Sequence, residues 1–206
     1  MSLTIAAMPA DDEIARMRAA MPAKPRVAPA KPRTLLVFSL CRGFVHSAVP
    51  YGAKAFEILG ETTGAYTVVQ SSDIAVFEPD ALSQFDAVVF NNTTGELFLP
   101  PDLANLSQEE QLQARERDAR LKAGLLEFIR SGKGVIGVHA ATDTFYNWPD
   151  YGEFMGGYFN GHPWNEDVAV KIDDPAHPVN RAFAGQGFTI ADEIYQFKEP
   201  YSREKL

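Results

Sequence analysis

Cysteine occurs once, at Cys41, in a chain of 206 residues. A single thiol cannot close a disulfide within the chain, and a cysteine-rich zinc site is excluded. Long apolar runs are missing too. None approaches the ~20 residues that a membrane-spanning helix needs, so no membrane partner is expected. The N-terminal stretch MSLTIAAMPADDEIARMRAAMPAKP has neither a basic leading region nor a long apolar core. No signal peptide is therefore expected, and the expected compartment is the cytoplasm. Met1-Ser2-Leu3 is given no structural weight. Lys and Arg total 19 against 27 Asp and Glu, for a formal net charge of −8. Phosphate contacts need clustered basic residues, and no basic stripe is present, so no nucleic-acid partner is expected. Internal repeats and an HExxH pair are also missing.

What is present reads as one globular domain. Hydrophobic residues make up 46% and charged residues 22%, which suits a soluble chain long enough for a sizeable core. Residues 1–33 stand apart. DDEIARMRAAM places Ile14, Met17 and Met21 at helical spacing behind an Asp-Asp start that suits a capping carboxylate. PAKPRVAPAKPR then reads as an extended, semi-rigid arm, either a linker or a contact to another subunit of a homo-oligomer. The domain proper, 34–206, begins with TLLVFSL, an unalternating apolar run that suits a strand buried on both faces. VPYGAKAFEILGETTG is a helix closed by Gly64. YTVVQS and DAVVFNN are strands, with a short helical turn in the segment between them. Ser107 and Glu110 form a capping box for a long helix that Gly132 ends. GVIGVH is a fourth strand, an apolar run that looks buried. Alternating strands and helices predict a doubly wound, mostly parallel sheet with helices on both faces. After Asp150 the pattern changes to a short helix, a loop rich in glycine and aromatics, and less buried strands in DVAVKIDD and GFTIADEIYQF.

The chemistry-bearing residues gather after the strands. His46 follows the first, the polar loop NNTTG follows the third, and His139 ends the fourth. Loops leaving the same edge of a parallel sheet can converge on one crevice. In GVHAA, His139 occupies the place where a nucleophile elbow holds Ser or Cys, with the small neighbours such a turn needs. No nucleophile sits there, which leaves His139 as a general base, a metal ligand, or a structural histidine bonded to nearby backbone or Thr142. His162 lies between Gly161 and Pro163 with Trp164 beside it, in a pocket loop or in a structural cover of the sheet edge. His177, in DDPAHP, reads as turn or capping chemistry. Glu193 reads as a ligand, an acid/base or a solvated carboxylate, on the same strand face as Tyr195. Cys41 pairs with a histidine or simply packs. Two or three histidines with one carboxylate form a set that Zn²⁺ accepts.

The segments GKGVIGVHAATDTFYNWPDYGEFMGGYFNGHPW, DDPAHPVNRAF and DEIYQF, with RGFVHSAVPYGAKAF and FDAVVFNNTTG, resemble the ThuA-like (trehalose-utilisation) family over roughly 34–205. The resemblance implies a flavodoxin-like fold related to class I glutamine amidotransferases. It also implies that His139 replaces the amidotransferase cysteine, so the chain is not expected to be a working amidotransferase. It suggests a sugar-processing hydrolase, lyase or isomerase, with Zn²⁺ or another divalent metal and no nucleotide cofactor. On this reading the partner is a small carbohydrate. His139, His46 and Glu193 are catalytic, and His139, His162 and Glu193 are the metal ligands. Asn92, Thr93 and Thr142 bond hydroxyls, while Phe145, Tyr158 and Trp164 shape the pocket. A non-catalytic sugar-binding or regulatory module and a metal-dependent hydrolase of another substrate remain the rivals. Relatives continue with further strands, so the chain is expected to be a fragment or to lack part of its sheet.

Overall fold

The structure is a computed structural model that describes residues 7–201. Met1-Ser2-Leu3 and the last five positions, 202–206, lie outside the described residues. In chain order the elements are α1 (Asp11–Ala20), β1 (Thr34–Phe38), α2 (Val49–Thr63), β2 (Thr67–Ser71), α3 (Pro79–Leu82), β3 (Ala87–Asn91), α4 (Gln108–Arg130), β4 (Gly134–Val138), α5 (Pro149–Met155), β5 (Tyr158–Phe159), β6 (Asn165–Val170), β7 (Phe188–Glu193) and β8 (Phe197–Lys198).

Four parallel strands in the order β2-β1-β3-β4 form the main sheet. This is the flavodoxin-like order, with its reversal between β1 and β3, and it follows from the alternation of strands and helices. Both faces of the two central strands are covered. Leu36, Phe38, Val88 and Phe90 pack on one face against Phe77, Leu121, Leu125, Phe128 and Tyr151, from α4, α5 and the turn before α3. Leu35, Val37 and Val89 pack on the other against Ala53 and Phe56 of α2. That explains why β1 reads as an unbroken apolar run: side chains alternate in direction, but neither direction meets water.

Two expectations are corrected. The fourth strand reads as buried, yet β4 lies at the sheet edge. The cluster beneath α2 takes Val138 but not Ile136, which is left 42% exposed. The Asp-Asp start of the first helix also lies inside α1 rather than capping it. The cap position is Ala10, whose N–H donates to Glu13 Oε2 at 2.8 Å.

The long helix meets its expectation. The Glu110 N–H donates to Ser107 Oγ at 3.3 Å, and Glu110 Oε2 accepts from the Ser107 N–H at 2.9 Å. Gly132, with φ of 87°, turns the chain into β4. The arm is fastened at its end. Asp86 accepts from the Thr34 N–H at 3.0 Å and from Arg33 at 2.8 Å. The Thr34 amide first, and then the Arg33 guanidinium, hold its carboxyl below the usual carboxylate range.

Past the strand ends the parallel pairing continues as single bridges, Cys41 with Thr94 and Gly95 with Thr144. These bridges draw the loops after β1, β3 and β4 together. β5 pairs with β8, and β6 pairs with β7, both antiparallel. The β6–β7 hairpin delivers Glu193 at the end of β7 to the same edge of the main sheet.

Candidate functional site

His139 is presented by a strained turn. It follows β4 with φ of 50° and opens a short 3-10 helix, His139–Asp143. A non-glycine residue in that left-handed region costs about 1–2 kcal/mol, and such strain collects at functional turns. The neighbours make it feasible. A Cβ at Gly137 would lie 2.7 Å from Met155 Sδ, and Ala140 and Ala141 are buried beneath the turn. Tyr151 anchors it from below, its hydroxyl donating to the Ala141 carbonyl at 2.7 Å.

Three other elements meet this histidine. His46, from the loop between β1 and α2, places its ring edge-on to His139, with centroids 4.6 Å apart at 76°. Glu193 bridges two imidazoles: Oε1 is 3.6 Å from His139 Nε2, and Oε2 is 3.4 Å from His162 Nδ1. Tyr195 places its hydroxyl 3.0 Å from the same His139 Nε2. Burial first, and then the nearby His139 imidazole, push the His46 pKa down, so His46 favours the neutral form that serves as a base or a ligand. Burial, Glu193 and Asp143 push the Tyr195 hydroxyl up, and it stays a phenol.

The donor atoms of His46, His139 and Glu193 all lie within 4.8 Å of one another. A tetrahedral zinc ion with bonds of ~2.1 Å sets its donors roughly 3.4 Å apart. Contraction by up to about 1.4 Å would bring the three to that spacing, and two imidazoles with a carboxylate suit a divalent ion with an open position. The chemistry of the set therefore fits a metal. The triad expected from the sequence is altered, because His46 rather than His162 completes the compact set. His162 lies across Glu193 as a partner of its other oxygen.

Two clefts open on this centre. One, of about 440 Å³, is lined by Val135, Gly137, His139, Thr142, Phe154, Met155, Glu193, Tyr195 and Phe197. The other, of about 320 Å³, is lined by Phe44, His46, Asp143, Phe159, His162, Glu193 and Tyr195. A larger hollow of about 690 Å³ between the arm and α2 contains no histidine and lies away from this chemistry.

Of the expected hydroxyl contacts, Thr142 reaches a cleft. Asn92 and Thr93 do not, because both are buried. Asn92 Nδ2 donates to Asn91 Oδ1 at 2.9 Å, and the Thr93 and Thr144 hydroxyls meet at 3.0 Å. These two groups serve the buried crossing of the loops, while Asn92 Oδ1 is buried with no hydrogen-bond partner among the described residues. Phe145 and Tyr158, expected to shape the pocket, are buried in the core as well. The Tyr158 hydroxyl donates to the Phe145 carbonyl at 3.0 Å. Trp164 is 49% exposed and lines neither cleft. His177 Nδ1 accepts from the Val179 N–H at 3.3 Å and caps the turn Pro178–Phe183. Cys41 bonds to the Asn92 carbonyl at 3.2 Å, and burial pushes its thiol up. It is therefore kept as a poor nucleophile.

Residues the sequence reading passed over are Asp143, Phe44 and Phe159, along with the hydroxyl contact of Tyr195. Asp143 lies four positions after His139 in the elbow and accepts from the Tyr146 hydroxyl at 2.6 Å. Phe44, two positions before His46, stacks edge-on to it at 4.8 Å. Their closeness in sequence to the two histidines was the available signal.

Three comparisons bear on this arrangement. The family model described as ThuA, trehalose utilisation, matches residues 34–205. No curated protein matches. A solved ThuA-like protein from Bacteroides uniformis is similar in fold, with a TM-score of 0.57 and 20% identity, covering 85% of this chain and 64% of that one. The chain thus spans 64% of that neighbour's length.

Proposed function

The chain belongs to the ThuA, or trehalose utilisation, family, and from that premise we propose that it binds and processes a carbohydrate-derived small molecule where His46, His139 and Glu193 meet. The convergence of these three donors from three separate segments within 4.8 Å carries the proposal. Structural filler rarely brings two imidazoles and a carboxylate to the mouth of a cleft without a partner to bind.

The surroundings suit a sugar. Phe44, Phe159 and Tyr195 bring aromatic faces beside the histidines, and such faces pack on the apolar C–H side of a pyranose. Asp143 and His162 add hydrogen-bonding groups for hydroxyls in the same cleft, and Thr142 adds one in the neighbouring cleft. The neutral tendency of His46 leaves its lone pair free to hold a divalent ion, and His162, outside the compact set and 3.4 Å from Glu193 Oε2, is the imidazole left to move a substrate proton. Because the elbow carries His139 instead of a thiol or hydroxyl, the chemistry runs through proton transfer rather than a covalent acyl intermediate. A divalent ion held by His46, His139 and Glu193 would supply Lewis-acid polarisation of a substrate oxygen or of water.

The test is a panel of mono- and disaccharides and their oxidised derivatives, followed by NMR for binding and turnover, with Zn²⁺ or Mn²⁺ added or chelated. The expected result is a sugar whose turnover depends on the metal and falls by at least about 100-fold in His139→Ala. Binding and turnover that survive unchanged in His139→Ala would overturn the assignment.

A further inference from the structure

The His139 Nε2 atom has two claimants. The Tyr195 hydroxyl lies 3.0 Å from it, and a cation shared with Glu193, whose Oε1 is 3.6 Å from the same nitrogen, would need the same lone pair. We propose that Tyr195 is a latch on His139: its hydroxyl donates to Nε2, fixes the imidazole in the tautomer protonated at Nδ1, and must be displaced when a divalent cation enters. The proposal rests on the metal-binding reading of His46, His139 and Glu193 given above.

The geometry supports a latch rather than a passing contact. His139 Nε2 is the Tyr195 hydroxyl's hydrogen-bond partner among the described residues. The Tyr195 ring is held from several sides, 4.6 Å from the His139 ring, 4.5 Å from Phe159 and 5.8 Å from His162 at 19°. A ring wedged in this way leaves its hydroxyl little choice of direction. Tyr195 also lines both clefts, so its hydroxyl, once off Nε2, remains beside a bound ligand. An imidazole nitrogen has one lone pair and cannot accept from a phenol and coordinate a metal together. Tyr195 is thus a positioning residue that acts through His139.

The test uses Tyr195→Phe, which keeps the ring and removes only the hydroxyl. Zn²⁺ binding by calorimetry is expected to tighten about five- to tenfold, the usual net worth of one hydrogen bond. Metal-free protein labelled with ¹⁵N-histidine supplies an independent readout. Wild-type His139 should show a non-protonated Nε2, and Tyr195→Phe should shift it towards a mixture of tautomers. Unchanged zinc affinity together with an unchanged tautomer would overturn the latch, as would a wild-type Nε2 that already carries the proton. If neither protein binds zinc, the metal reading falls, and the tautomer measurement still decides whether Tyr195 fixes His139.

Discussion

Replacement of Glu193 by glutamine is expected to lower affinity for a divalent cation by about 100-fold or more. Glutamine keeps the length and shape of the side chain and removes only the charge. Glu193 contributes the sole carboxylate of the compact set, and its two oxygens face His139 at 3.6 Å and His162 at 3.4 Å. Loss of an outer partner of a metal ligand commonly costs 10–100-fold, and loss of a ligand itself costs more. His162→Gln provides the scale, because it removes only the imidazole that orients the far oxygen, and about a tenfold loss is expected. Competition with a chelating dye measures both. An affinity in Glu193→Gln within threefold of wild type would show that the carboxylate is not a ligand.

Phe90→Ala is expected to give the largest loss of stability, about 3–5 kcal/mol. Phe90 is fully buried in β3, stacked on Phe77 at 5.9 Å and edge-on to Tyr151 at 5.6 Å. Alanine leaves a void between the sheet and α5 that rigid neighbours cannot fill. The effect also reaches the site, because Tyr151 holds the His139 turn through the Ala141 carbonyl. For a chain of this size the loss amounts to a fall of ~6–20 °C in Tm. Urea unfolding of Phe90→Ala and Phe90→Leu, followed by far-UV circular dichroism, measures it, with leucine retaining most of the stability. A shift below about 1 kcal/mol for alanine would contradict the packing described.

The fold was legible because its signals are local. Apolar runs at β1 and β3, the Ser107–Glu110 box and the glycines after α2 and α4 each mark an element independently of the rest. The edge position of β4 was not legible. Burial on both faces is settled by where α2 sits, and Val135-Ile136-Gly137-Val138 carries no trace of that. The site divides in the same way. His46 and His139 could be named because residues after parallel strands share an edge, and Glu193 because it is a carboxylate in the strand segment ADEIY, which the antiparallel β7 carries to that edge. Asn92, Thr93, Phe145 and Tyr158 were misplaced because the chain bends sharply where they lie. Asn92 and Phe145 have φ of 53°, and the bridges Cys41–Thr94 and Gly95–Thr144 fold the loop inward. Polarity in NNTTG thus faces a buried crossing rather than a cleft, and Phe145 and Trp148 of TFYNW fill the core. Single-sequence reasoning sees the residue types but not the direction in which a left-handed residue turns the next side chain. The exchange of His162 for His46 in the compact set has the same origin, since the choice depends on which oxygen of Glu193 faces which ring.

The central claim is that one divalent cation sits among His46, His139 and Glu193. Diffraction at the zinc absorption edge, from crystals soaked in Zn²⁺ at a concentration near the protein's own, tests it most directly. The account predicts one strong anomalous peak about 2 Å from an imidazole nitrogen of His46, an imidazole nitrogen of His139 and an oxygen of Glu193, with the Tyr195 hydroxyl moved off Nε2. A peak held by His162 without His46, or zinc bound only elsewhere on the chain, would contradict it.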